Sequence, residues 1–352
     1  MNNLLRLLAV LLAAGVLHSQ STFAQVPGYP DGVRAVMYVS DADDTTQPTL
    51  IWTPPTDAAV PLLVALHTWS HDYRQAGGEA QYANWCQEKG WAFVHPHFRG
   101  VNRTPSALGS DLVVADILSV IRHAKTVANI DHNRIYCVGV SGGGHASLLM
   151  AARAPKVWAG VSSWCGISDI ALWHRQCLDG PFERYSRHIE TVLGGTPLST
   201  PQRRADAKNR SPVNWIAGAD SLPPLDINHG INDGRDGSVP FTQSILAWNA
   251  AVPGEKEIST EMAALFYDLR SVPSELEMSN EIQPGAGKAP LRPVFRRTAG
   301  DVRLTIFNGG HEIDHGAALN WLSAQSRGAP TDWNVDDTSG FRVPLEDTRS
   351  GK

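Results

Sequence analysis

From about residue 60 onward, short apolar and β-branched runs bounded by turn residues alternate with longer stretches whose apolar positions recur every three or four residues. Such alternation predicts strands joined by crossover helices, hence a mostly parallel sheet with helices on both faces. Eight strands are expected, at 34–39, 50–53, 62–67, 92–95, 135–140, 160–164, 225–229 and 302–307. The first two leave no room for a helix between them and are expected to pair as an antiparallel hairpin. Over 111–127, Val113, Ile117 and Ile121 fall at i, i+4 and i+8 with Val114 and Leu118 beside them, and Ser110 stands where a helix cap belongs. A helix after Ser141 is expected to stop at Arg153-Ala154-Pro155, and the last amphipathic helix spans 315–324.

Two stretches exceed a minimal alternation. They are 166–222, rich in Trp, Arg and Pro, and 251–300, helical over 257–269 and then broken by Pro and Gly. Both connect at the carboxyl edge of the expected sheet, where long insertions build pockets or lids. Residues 329–352 are polar and expected to pack poorly. At the other end, Arg6, an apolar run over 7–17 and the sequence Thr22-Phe23-Ala24 predict a secretory signal peptide, residues 1–24, cleaved after Ala24. That run is shorter than the ~20 residues a spanning helix needs, so no membrane span is expected. The expected product is a catalytic domain over 25–328, exported to the periplasm or beyond the cell.

Hydrophobic residues at 42% and charged residues at 18% predict an ordinary packed core. A net charge of −5 with no basic tract argues against nucleic acid as a partner. In an exported chain, Cys86, Cys137, Cys165 and Cys177 allow up to two disulfides. Cys165 and Cys177, close in sequence around a segment that reads as loop-rich, are the expected pair, with four buried thiols as the alternative.

The chemistry centres on Gly139-Val140-Ser141-Gly142-Gly143, set between the fifth strand and a helix. Strand, sharp glycine turn and helix form the setting of a nucleophile elbow, which exposes a serine hydroxyl at the apex. A serine is a weak nucleophile, so an imidazole must take its proton and a carboxylate must orient that imidazole. After the seventh strand, Asp233 and Asp236 are both available; after the eighth comes His311. One oxyanion donor is expected from the Gly142 N–H, the other from the loop His67-Thr68-Trp69-Ser70-His71-Asp72-Tyr73.

Together, Gly139-x-Ser141-x-Gly143, His229-Gly230-x-x-Asp233 and Gly310-His311 resemble the α/β-hydrolase fold, within it the prolyl-oligopeptidase and acetyl-esterase branch. Phe98-Arg99-Gly100, Asp131-x-x-Arg134-Ile135 and Arg210-Ser211-Pro212 extend the resemblance over roughly 34–325. The peptidase members also carry a β-propeller and paired glutamates for a peptide amino terminus, neither of which this sequence includes. The resemblance implies a triad of Ser141, His311 and an acid, and no cofactor. Asp233 keeps the spacing to His229-Gly230 and Asp236 the spacing to Val239-Pro240; Asp233, in the first turn after its strand, is preferred. The second oxyanion donor is expected to be the Trp69 N–H, with Thr68 behind it. Tyr73, Trp173 and His174 are candidates for substrate contact, while His95, His97 and His145 read as structural.

His311-Glu312-Ile313-Asp314-His315 also matches the zinc-protease pattern H-E-x-x-H. That pattern needs a helix through both histidines and a third ligand downstream. Two glycines precede His311 and no histidine follows His315, so no metal is expected. The expected function is hydrolysis of a carboxylic ester, in a small molecule or on a polysaccharide, through an acyl-enzyme. A small serine peptidase is the alternative, and a noncatalytic binding protein of the same fold is the contrasting class.

Overall fold

The structure, a computed structural model, describes residues 25–254, 256–283 and 290–335. Its sheet has nine strands: β1 (Arg34–Val39), β2 (Thr46–Trp52), β3 (Val60–Leu66), β4 (Ala92–Pro96), β5 (Ile130–Val140), β6 (Gly160–Trp164), β7 (Leu225–Gly230), β8 (Pro293–Ala299) and β9 (Val302–Phe307). They lie in the order β1-β2-β4-β3-β5-β6-β7-β9-β8. Antiparallel pairing is confined to β1 with β2, β2 with β4, and β8 with β9; the rest is parallel. All eight expected strands are present. The ninth, β8, falls within the stretch taken as an insertion. It is an edge strand carrying Arg296 and Arg297 with only Phe295 buried, so it lacks the apolar run of a central strand.

Eleven helices are described: α1 (Gly78–Lys89), α2 (Asp111–Val127), α3 (Gly142–Arg153), α4 (Ile170–Asp179), α5 (Arg184–Leu193), α6 (Pro201–Asn209), α7 (Pro212–Ile216), α8 (Thr242–Ala251), α9 (Thr260–Leu269), α10 (Ser274–Glu277) and α11 (His315–Ala324). Strand β3 shows how the layers form. Every one of its residues is buried. Leu62, Val64 and Leu66 join Ile117, Val120 and Leu148 on one face, whereas Leu63 and Ala65 join Tyr82, Trp85 and Leu319 on the other. The two-residue period of a strand thus feeds two cores, one under α2, α3 and α8 and one under α1 and α11. Ser110 caps α2, its Oγ accepting from Val113 N.

The segment 166–222 is largely helical, and α4 occupies most of the stretch between Cys165 and Cys177 that read as loop-rich. Pro201 and Pro212 stand in the first turns of α6 and α7, where a missing N–H costs nothing, so prolines that look like punctuation are helix starts. The expected Cys165–Cys177 disulfide is absent; all four cysteines are free and buried. Cys165 directs its Sγ to Glu312 O at 3.4 Å, and Cys177 sits among Trp69, Ile170 and Trp173. Residues 329–335 are also better packed than expected, because Trp333 stacks on Trp321 at 5.2 Å and donates from Nε1 to Gly300 O. The expected signal peptide and the tail beyond 335 lie outside the described residues. Among the described residues, no helix is long and apolar enough to cross a membrane.

Candidate active site

Three strand ends meet at the carboxyl edge of the sheet. β5 runs into Ser141, whose φ of 60° and ψ of −119° lie outside the regions most side chains adopt. The turn is held by Ser141 N donating to Trp164 O at 2.9 Å, at the end of β6. A Cβ on Gly143 would lie 3.1 Å from His67 O and closer still to Leu66 O, so α3 can start this near β3 only with glycine there. Ser141 is 8% exposed at the apex.

Asp233 follows β7 and His311 follows β9, and the structure joins them: His311 Nδ1 donates to Asp233 Oδ2 at 2.6 Å. The carboxylate accepts three more bonds, from His229 Nε2 at 3.0 Å, Gly234 N at 2.8 Å and Val239 N at 3.1 Å. His229 is itself fixed, with Ser244 Oγ 2.7 Å from its Nδ1. Burial alone would raise the Asp233 carboxyl, but the charge of His311 and the bonds from both histidines outweigh it and hold the acid well below the usual carboxylate range. His311 moves the other way. Burial disfavours its cation, yet the Asp233 charge and hydrogen bond raise its pKa above the ordinary histidine value. His311 Nε2 has no hydrogen-bond partner among the described residues, Ser141 Oγ included, and its side chain is 24% exposed. Asp236, the alternative acid, is not at the histidine; it is 67% exposed and 3.9 Å from Arg270.

At the candidate oxyanion site, a Cβ on Gly142 would lie 2.5 Å from Trp69 N and 2.8 Å from Asn102 Nδ2. Glycine therefore lets Trp69 N and Asn102 Nδ2 pack directly against the start of α3, where the Gly142 N–H is free in the first turn. Thr68, the second choice, is occupied, since its N–H donates to Gln75 Oε1 at 2.8 Å. The other loop candidates separate. Tyr73 meets His97 edge-on at 5.5 Å, away from the tryptophan pair. Trp173 packs edge-on against Trp69 at 4.7 Å and donates to Ser238 O, and Tyr185 completes the aromatic wall. Behind it, His174 is buried and bonded to Glu190 at 2.9 Å, a tie between α4 and α5. Trp69 Nε1 donates to His188 Nδ1 at 3.2 Å. Burial, then the charges of Arg103, Arg184 and Arg187, keep His188 below the ordinary histidine value. His145 is structural as expected, with Nε2 donating to Arg210 O.

The H-E-x-x-H residues diverge. The helix begins only at His315, whose ring lies against Tyr82 at 4.9 Å, while His311 is engaged with Asp233. The one group of three potential metal-ligating side chains among the described residues is Cys165, Asp233 and His311, their ligand atoms within 4.8 Å of one another. Burial, then the Asp233 charge, push the Cys165 thiol well up, which keeps it protonated beside the acid. Sequence reasoning missed Cys165, Asn102, His188 and the supporting role of His229. Only His229 carried a signal, in the quoted His229-Gly230-x-x-Asp233.

Among solved structures, the fold is similar to prolyl oligopeptidase B from Galerina marginata, with TM-score 0.51 and 18% identity over 63% of this chain and 31% of that one. It is also similar to acylaminoacyl peptidase from Pyrococcus horikoshii (TM-score 0.49, 18% identity, 62% and 34%) and to oligopeptidase B from Leishmania major (0.49, 11%, 68% and 35%). The chain spans about a third of the length of these proteins, and at this identity the likeness is one of fold. No curated protein matches the sequence. The BD-FAE family model matches residues 49–250, from β2 through Ser141 and Asp233 into α8. The chain therefore belongs to the BD-FAE family, an esterase-type α/β-hydrolase domain, and is a serine hydrolase.

Proposed function

We propose that the protein cleaves a carboxylic ester in two steps through an acyl-enzyme on Ser141. Ser141 Oγ attacks the carbonyl carbon while His311 Nε2 takes the hydroxyl proton, and the imidazolium is held by Asp233. The carbonyl oxygen gains the negative charge against the Gly142 and Trp69 N–H groups. Collapse expels the alcohol, which receives the proton from His311. Water then repeats the sequence and releases the acid. The observation that carries this reading is the 2.6 Å bond from His311 Nδ1 to a buried Asp233, behind a serine held at positive φ. The esterase-type family supports ester over amide. The apolar leader at 7–17 supports export of a catalytic domain beginning at Gln25 and a substrate outside the cytoplasm, such as an ester on a polysaccharide.

Ser141→Ala is expected to lower kcat by at least ~10³-fold, the scale of triad members. Acyl aryl esters assayed beside aminoacyl and dipeptidyl anilides separate the two bond types. Turnover confined to the anilides would replace the ester reading by a peptidase one.

A further inference from the structure

Asn102 is an asparagine that the triad does not use, yet it is almost fully buried and its Nδ2 has no hydrogen-bond partner among the described residues. A buried amide donor without a partner calls for a physical reason. The other half of the side chain is committed: Oδ1 accepts from Leu108 N at 2.9 Å. A backbone N–H can be met only by the oxygen, so the amide's orientation is set and Nδ2 faces the opposite side. On that side lies the spot beside Gly142 also approached by Trp69 N.

The loop holding Asn102 is braced from several directions. Its own N–H donates to Trp69 O at 2.9 Å, linking the two donor-bearing segments. Arg210, buried, donates to Pro105 O at 2.9 Å, Ala107 O at 2.7 Å and Leu108 O at 3.1 Å. Upstream, Arg99 clamps Asp116 at 2.7 Å and Asp43 at 2.8 Å just after β4. A donor held this firmly loses little on meeting a charge that forms beside it, which is the physical requirement for an oxyanion donor.

We propose that Asn102 is a catalytic residue, its Nδ2–H the third donor to the oxyanion beside the Gly142 and Trp69 N–H groups. The proposal rests on Ser141 being the nucleophile. No protein group among the described residues takes the Nδ2–H, which leaves it for the substrate carbonyl oxygen as that oxygen becomes negative. The contribution is therefore larger in the transition state than in the bound substrate and appears in kcat.

Asn102→Asp tests it: aspartate keeps the acceptor for Leu108 N, removes the donor and sets a negative charge beside the oxyanion. The expected result is a kcat lower by at least ~10²-fold with KM within a few-fold, the effect of deleting one oxyanion donor. Asn102→Ala should also lose kcat, and a boronic-acid transition-state mimic should lose affinity in both variants while the neutral alcohol product does not. Circular dichroism of both variants should keep the parent's shape, with Asn102→Asp losing some thermal stability because it buries a carboxylate. A kcat for Asn102→Asp within threefold of the parent overturns the proposal. So does a loss confined to Asn102→Ala and accompanied by unfolding. Turnover surviving in Ser141→Ala would instead remove the serine reading, so the two failures are distinct.

Discussion

Two regions meet over Ser141 and are built by different rules. The carboxyl edge of the sheet positions Ser141, Asp233 and His311 through backbone: three parallel strands, the turns after them, and glycines that allow close approach. The covering segment α4–α7 is held by side chains instead, through the ring cluster of Trp69, Trp173 and Tyr185 and the His174–Glu190 tie. The edge holds the candidate reacting groups, and the segment α4–α7 packs beside them through Trp69 and Trp173. Changes at the edge should therefore damage turnover without unfolding, and changes in the cover should cost stability first.

The sharpest contrast lies between two aspartates three residues apart. Asp233→Asn is expected to lower kcat by about 10³-fold or more, since the amide no longer stabilises the His311 cation and favours the wrong tautomer. Asp236→Asn, on an exposed carboxylate, should leave kcat within twofold (about 0.4 kcal/mol or less) in the same assay. Equal losses in both would break the assignment of the acid.

The pH profile follows from the same pair. His311 must be neutral to accept the serine proton, and its pKa is raised, so kcat/KM should climb through an apparent value above the ordinary histidine pKa of about 6.5. In Asp233→Asn the residual activity should show this limb at lower pH, because the field that raised it is gone. Stability carries the opposite sign for the two groups. The lowered Asp233 contributes stability above its unfolded pKa of about 4, lost as pH falls through the folded value; the raised His311 contributes below about 6.5, lost as pH rises through its folded value. The pair therefore supports the fold most between those limits, measurable as a broad maximum in denaturant midpoint absent from Asp233→Asn.

In the covering segment, His174→Ala should remove one buried tie, lowering stability by about 1–2 kcal/mol with kcat within a few-fold, read from urea denaturation and initial rates. A large kcat loss with unchanged stability would restore His174 to the substrate site.

The same division governs what could be seen in the chain beforehand. Strand runs, the α2 periodicity and the order of serine, acid and histidine were legible, because each is a local pattern that backbone geometry imposes. Asp233 could be chosen over Asp236 from its place in the first turn after β7, and the described geometry puts it against His311. The cover was not legible: the Trp, Arg and Pro content of 166–222 did not mark the helices that Pro201 and Pro212 open, and Cys165 read as a disulfide partner although its thiol lies beside the acid. Asn102 is the plainest case. The nearby Phe98-Arg99-Gly100 gave Asn102 no role, and its meaning arises only where Trp69, Gly142 and Leu108 converge.

The central claim is that Ser141 is the residue made nucleophilic by His311 and Asp233. Incubation with a fluorophosphonate followed by intact-mass and peptide mapping tests it most directly. One adduct, on the peptide containing Ser141, formed by the parent, slowed strongly in Asp233→Asn and absent in Ser141→Ala, is the predicted result. An adduct on another residue, or unchanged labelling of Ser141→Ala, would contradict it.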